Sequence, residues 1–289
     1  MRKKKNREEI AAPEVGKSAE IVMIIVLTIL SVIFLMPILI VLMNSFKGKF
    51  YISDAPFALP DSETFAGVTN YIDGISKTGL PSAFCYSLFI TVFSVLVIVL
   101  FTSMIAWYIT RVKTWWTKVL YYMFAFAMIV PFQMVMFPMS KIANILRLDN
   151  PVGILVVYLG FGAGLSVFMF CGFVKAVPIE MEEAAMIDGS SPIKMFFLVV
   201  FPMLKPTAIT IAILNAMWIW NDYLLPYLLL GTDYMTIPIA IQYLQGGYGS
   251  IDMGAMMAML VLAMIPIIVF YLMCQKHIIK GVTAGAVKG

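Results

Sequence analysis

The chain has 289 residues, of which 62% are hydrophobic and only 12% charged, whereas soluble domains average about 25% charged residues. That composition excludes an ordinary soluble enzyme and points to a membrane protein. The formal net charge of +4 says little until it is mapped onto loops, and no nucleic-acid partner is expected from it.

A basic tail (Arg2, Lys3, Lys4, Lys5, Arg7) precedes an apolar run from about Ile21 to Met43. The run is long enough to span a hydrocarbon core of about 30 Å at about 1.5 Å per residue. A secretory signal would have a shorter apolar core and a small-residue cleavage site, so a retained helix is predicted, with Pro37 near its outer end. Gly16-Lys17-Ser18 imitates the end of a phosphate-binding loop. The first glycine of that motif would fall on Ala11, and no strand precedes it, so nucleotide binding is rejected. From Lys47 to about Ser82 the chain turns polar and rich in Pro and Gly, which predicts short helices and turns at the outer surface. A second, charge-free span runs from about Phe84 to Trp107, followed by the basic loop Arg111–Lys118 with Trp115 and Trp116 suited to an interfacial belt.

The third span is placed at about Val119–Met139, with Pro131, Gln133 and Pro138 in its outer half. Prolines there free carbonyls that protein or a water-lined cavity must receive; a packed kink and pore lining both remain open. The fourth span runs from about Pro151 to Val174, where Gly160-x-x-x-Gly164 would allow close helix contact. The fifth is placed at Thr207–Leu230 and the sixth at Met253–Cys274, separated by an apolar outer segment, residues 231–250. Cys85, Cys171 and Cys274 lie in apolar stretches without neighbouring ligands, and the single His277 follows the last span among lysines, so neither a metal site nor a disulfide framework is expected. Six spans put both termini on one side. Fifteen of the 20 Lys and Arg residues fall on that side, and the positive-inside bias makes it the cytoplasm.

Between the fourth and fifth spans lies Lys175–Pro206, KAVPIEMEEAAMIDGSSPIKMFFLVVFPMLKP. Pro178 suits a first helical position, and Glu180, Glu182 and Glu183 complement the helix dipole. Gly189 suits a left-handed stop, and Ser191-Pro192 reads as the cap and first residue of a second helix. Pro202 and Pro206 should limit that second helix. The prediction is a short two-helix hook in the cytoplasm.

Glu183-Ala184-Ala185, three residues, Gly189, nine residues, then Val199-x-Phe201-Pro202 resembles the EAA loop of permease subunits of bacterial ABC importers. The flanking MIDGSS, PMLKP and Trp220-Asn221-Asp222, with the ending GVTAGAVKG, are similar to the carbohydrate-uptake branch that includes the maltose permease subunit MalG. Val199 and Phe201 depart conservatively from the Ile and Leu more frequent in that family. The resemblance implies an all-α membrane protein of the type I importer permease fold. It would have a tail at 1–20, a six-helix domain at 21–275 with its coupling loop at 175–206, and a tail at 276–289. It further implies no catalytic residues, no bound metal or cofactor, and ATP and Mg used by a partner ATPase. Expected partners are a second related permease, two copies of the ATPase, an extracytoplasmic solute-binding protein, a carbohydrate and membrane lipid.

On that resemblance Glu182, Glu183, Ala184, Ala185, Asp188, Gly189 and Pro202 are the coupling candidates. Asn215, Trp218, Asn221 and Asp222 are candidates for the path or a gate, since amides and carboxylates bond hydroxyls and an indole stacks on a sugar ring; helix-holding or docking is the competing role for Asn221 and Asp222. Asn215, Trp218 and Asp222 share one helix face by their spacing of three and four. A permease for a non-sugar solute such as a glycerol phosphate is the alternative. A secondary transporter would bury ionisable relays, and Asp222 is the one carboxylate at possible membrane depth; a hydrolase would need a nucleophile with a base or a metal cluster.

Overall fold

The computed structural model describes residues 16–244 and 252–286, with side chains through Lys276. The tail cations Arg2, Lys3, Lys4, Lys5 and Arg7, the end of the outer segment at 245–251, the His277 side chain and the C-terminal residues 287–289 lie outside that description. Among the described residues the regular structure is helical apart from one isolated bridge between Lys47 and Phe65.

The first span is α1 (Lys17–Asn44), which runs through Pro37 without a break. It is exposed from Lys17 to Leu39, a stretch of Ile, Leu, Val and Phe that only lipid or another apolar surface can cover. Lys17 and Ser18, the end of the imitation phosphate loop, are the first residues of α1, with Gly16 as its cap. The outer segment forms α2 (Lys49–Asp54) and α3 (Thr69–Thr78), as the Pro- and Gly-rich composition predicts. Asn70 ties this group to the end of α1 by donating to the carbonyls of Ser45 and Lys47, both at 2.8 Å.

Next comes α4 (Leu80–Arg111), whose apolar length exceeds the expected span at both ends. The third span is not one straight helix. It consists of α5 (Trp115–Ala127) and α6 (Phe132–Ile145), bent by 110° at the short break between them. Pro131 explains the break: it has no N–H to continue the ladder, and it sits in extended geometry as the cap of α6. At about 1.5 Å per residue, the 13 residues of α5 are too short to cross a bilayer alone.

The following helix, α7 (Gly153–Val174), shows that the bent pair nevertheless carries the chain across. Ile98 of α4 lies against Gly162, and the Cys171 thiol approaches the Ala106 carbonyl, so α4 and α7 run parallel. Two parallel neighbours require the intervening α5–α6 to return the chain to the far end.

The glycine pair behaves differently from its prediction. A Cβ at Gly160 would meet nothing within 4 Å. At Gly162 it would come within 2.7 Å of Ile98 and 2.8 Å of Asn215, and at Gly164 within 2.9 Å of the Phe124 carbonyl. The close approaches are therefore made by Gly162 and Gly164, on two different faces of α7.

After α7 come α8 (Ile179–Ile187), α9 (Pro192–Met195), a π-helical turn (Phe196–Val200) and α10 (Phe201–Asn221). The predicted limit at Pro202 and Pro206 fails, because α9, the π turn and α10 form one continuous 30-residue helix from Pro192 to Asn221. The Phe201 N–H reaches back five residues to the Phe196 carbonyl, and this wide turn brings the helix up to donorless Pro202 without ending it. The fifth span thus begins in the hook and ends at Asn221, not at Leu230. Beyond it, α11 (Leu224–Leu230) and α12 (Ile237–Tyr243) form the apolar outer segment, and α13 (Met253–Ala286) is the last span. Phe84 packs edge-on to Trp220 at 5.9 Å while Leu204 shares a core with Ala106, so α10 is antiparallel to α4.

Three buried clusters fill the bundle. At the hook end Phe170, Val174, Phe196 and Leu204 pack round Ala106. At the far end Ile98, Ile154, Tyr158 and Leu225 join α4, α7 and α11. A third cluster of Trp220, Ile237, Met256 and Met259 seats α12 and α13. At the end of the bundle away from the hook, Lys77 of α3 bonds Asp252, which precedes α13.

Candidate coupling hook and translocation cleft

The hook is built as its sequence dictates, with one shift. Pro178 is the cap of α8 in extended geometry (ψ 130°), one residue before the helical position expected for it. Glu180 and Glu182 occupy the first turn. At the other end Gly189 has φ +77°, and the Ser190 N–H reaches the Ala185 carbonyl at 3.0 Å while the Gly189 N–H reaches that of Met186. This pattern closes the helix through a left-handed residue. A Cβ at Gly189 would touch nothing within 4 Å, so backbone conformation alone demands glycine, at a cost to other residues of about 1–2 kcal/mol. Ser191 Oγ then accepts from the Lys194 N–H at 3.3 Å and caps the next helix.

The seven coupling candidates divide by exposure. Glu183, Ala184, Asp188, Gly189 and Pro202 are exposed, while Ala185 is buried against the chain. Glu182 is also buried, 4% exposed. Its Oε1 accepts from Arg111 Nε and Nη2 at 2.9 and 2.7 Å, and its Oε2 accepts from Trp107 Nε1 at 3.0 Å. Around the exposed candidates Met186, Ile187 and Ile193 are bare, Ile187 to 87%. A knob with two carboxylates, two small residues and apolar flanks can seat in a groove of another protein.

At the far end of the continuous helix Asn215 and Trp218 share a face that looks at α7, whereas Asp222, predicted on the same helix face, lies just past the helix as its extended C-cap. Asn215 is 6% exposed and donates to the Ile211 carbonyl at 2.9 Å and Ser166 Oγ at 3.3 Å. Trp218, 40% exposed, packs edge-on to Tyr158 with centroids 5.5 Å apart. Tyr158 in turn donates its hydroxyl to Asp222 Oδ2 at 3.1 Å. Asp222 Oδ1 accepts from the N–H groups of Leu224 and Leu225, and so caps α11 at the break after α10. Asn221 is exposed and bonds back to the Met217 carbonyl at 2.7 Å. Asp222 thus has a helix-holding task, whereas Asn215 and Trp218 line a cleft of about 340 Å³ with Met128, Phe161, Gly162 and Leu214. Two neighbouring hollows, at the α5–α6 bend and between α4, α10 and α13, have almost wholly apolar walls.

Sequence reasoning missed four partners: Trp107, Arg111, Tyr158 and Ser166. In the sequence Arg111 stands as one cation of a basic loop, and Tyr158 and Ser166 are isolated polar residues inside an apolar span. A polar residue at membrane depth needs a partner, and that was the available signal.

Comparison with known proteins places this architecture. The profile described as "Binding-protein-dependent transport system inner membrane component" matches residues 98–284, which include the hook, the cleft helices and the last span. The chain is 38% identical over 261 residues to the probable starch degradation products transport system permease protein AmyC of Thermoanaerobacterium thermosulfurigenes, covering 90% of this chain and 94% of that protein. It is 35% identical to the multiple sugar-binding transport system permease protein MsmG of Streptococcus mutans, covering 91% and 95%. Among solved structures, a chain of a bacterial ABC transporter that imports the acidic polysaccharide alginate superposes with a TM-score of 0.75 at 23% identity, over 92% of this chain and 99% of that one. That last likeness speaks for the fold. With the family profile spanning most of the chain and close relatives aligned along nearly its whole length, the chain belongs to the binding-protein-dependent transport system inner membrane components, the permease subunits of ABC importers.

Proposed function

We propose that the chain is one permease subunit of an ATP-driven importer of a sugar or oligosaccharide. It forms half of the translocation path beside a second, related permease and receives motion from two copies of a cytoplasmic ATPase. An extracytoplasmic binding protein delivers the solute. The observation that carries this reading is the continuous helix from Pro192 to Asn221. Its root belongs to the exposed hook, and its far end carries Asn215 and Trp218 into the cleft. A rigid helix with a docking knob at one end and a polar, aromatic wall at the other converts a push on the knob into a shift of the wall.

Carbohydrate is favoured as the solute because the relatives bear sugar-transport names, and because an indole beside an amide suits a sugar's apolar ring face and hydroxyls. Neither the ATP nor its magnesium is held by this chain in this account. The bias of cations toward the hook end supports placing the hook and both termini in the cytoplasm. The test is uptake by proteoliposomes carrying the chain with its co-purified partners and binding protein. Labelled maltooligosaccharide should accumulate only with ATP on the ATPase side, and labelled glycerol 3-phosphate should not. Accumulation of glycerol phosphate alone would reverse the solute assignment.

A further inference from the structure

Glu182 is the hook residue that no docking role explains, because its carboxylate is turned inward while the adjacent Glu183 faces out. Both of its oxygens are occupied, by Arg111 on one side and by the Trp107 indole N–H on the other. Arg111 Nη2 also donates to the Val177 carbonyl at 2.9 Å, on the connection that leads into α8. The Trp107 ring packs on Phe196 at 5.5 Å, the first residue of the π turn at the root of α10. Three pieces of the chain therefore meet at one point: the end of α4, the start of α8 and the foot of the long helix. In the chain α8 follows α7 after the four residues Lys175–Pro178, and it packs on α9 and the π turn.

We propose that Arg111, Glu182 and Trp107 are positioning residues, a clamp that makes the hook and the adjoining end of α4 move as one body. A push on the hook then reaches two walls of the bundle, α4 and α10, and not α10 alone. The chemistry suits a rigid joint. The ion pair is shielded, with side chains 19% and 5% exposed, and the guanidinium meets its carboxylate through two nitrogens. A fully satisfied buried network resists opening, whereas removing one partner leaves the other charge uncompensated. The proposal rests on the coupling function argued above, so its test has an arm independent of transport.

In a background with Cys85, Cys171 and Cys274 replaced by serine, spin labels at K113C and S190C report the distance between the end of α4 and the hook. The purified permease complex should give a narrow distribution. Glu182→Gln, which keeps the size but removes the charge and turns an amide N–H toward the Trp107 indole, should broaden it. In proteoliposomes the same variant should lower sugar taken up per ATP hydrolysed by about fivefold or more, with ATPase co-purification unchanged. Trp107→Phe, which keeps the ring on Phe196 and the ion pair, should give a smaller effect in the same direction. An unchanged distance distribution in Glu182→Gln overturns the clamp. So does a broadened distribution with normal uptake per ATP. If Glu182→Gln fails to assemble, Trp107→Phe decides alone: normal width and normal uptake per ATP in that variant refute the proposal. Absence of sugar uptake by the unsubstituted complex would instead count against the proposed function, leaving the distance measurement to judge the clamp.

Discussion

Adding one methyl group at Gly160, Gly162 and Gly164 of α7 in turn should separate the contacts that hold the bundle from the motif that merely resembles one. At Gly164 a Cβ would lie 2.9 Å from the Phe124 carbonyl and 2.8 Å from Met128 Cγ. The first of these is backbone, so α5 itself must move. At Gly162 the obstacles are the side chains of Ile98 at 2.7 Å and Asn215 at 2.8 Å, which can give a little. Overpacking a close-packed interior costs about 1–3 kcal/mol, so Gly164→Ala belongs at the upper end of that range and Gly162→Ala in its lower half. Gly160→Ala meets nothing within 4 Å and exchanges a flexible residue for a better helix former, a change of up to about 1 kcal/mol in the stabilising direction. At about 2–4 °C per kcal/mol for a chain of this class, Gly164→Ala should melt some 5–10 °C lower in detergent, while Gly160→Ala should match or exceed the unsubstituted protein. Equal loss for Gly160→Ala and Gly164→Ala would refute this assignment of faces.

Three further outcomes follow from the same geometry. Asn215→Leu is nearly volume-conserving and removes the amide from the cleft, so it should lower solute uptake without lowering co-purification of the partner permease or basal ATPase activity; loss of the complex would show Asn215 to be interface glue. At the outer edge burial pushes Asp252 upward. The hydrogen bond from Lys77, the Ala255 N–H and the charges of Lys77 and Lys49 outweigh that burial, and the carboxyl ends below its ordinary 3.8. The hydrogen bond to Asp252 raises Lys77 above 10.5. A lowered carboxyl contributes stability above its unfolded value and loses it as pH falls through the folded one, so the stability advantage over Asp252→Asn should hold at neutral pH, start to fall below 3.8 and be gone once pH passes the lower folded-state value; a difference that persists in strong acid would contradict the tie of α3 to the start of α13. Finally, single cysteine probes at Ser62 should react with an impermeant reagent on intact cells while probes at Ser18 and Ser190 should not, and reaction at Ser190 would overturn the orientation.

The hook was legible because its local chemistry is strong: a left-handed stop at Gly189, a cap at Ser191 and first-turn carboxylates each admit few conformations. The six spans were legible from apolar length. The bend within the third, between α5 and α6, was not, since Pro131 could equally mark a mild kink or a full break. Continuity through Pro202 was hidden for the opposite reason. Proline ordinarily stops a helix, but a π turn can absorb a missing donor, and no residue pattern announces one. The inward turn of Glu182 was hidden too. Glu182 and Glu183 are adjacent carboxylates of the same charge, and only the arrival of Arg111 and Trp107 from a helix some 70 residues earlier distinguishes them. The polar face of α10 was readable from spacing, but its partners Tyr158 and Ser166 were not, because long-range pairing leaves no mark on a single helix.

The most direct test of the central claim is the ratio of solute transported to ATP hydrolysed when the exposed carboxylate of the hook is reversed in sign. Glu183 touches neither the cleft nor the buried clamp, so Glu183→Lys should insert and fold normally. In proteoliposomes holding the full complex with its binding protein, the variant should import little or no solute, and solute-loaded binding protein should no longer raise ATP hydrolysis in step with uptake. Uptake at the unsubstituted rate with normal stimulation of the ATPase would contradict the account that this hook drives the path.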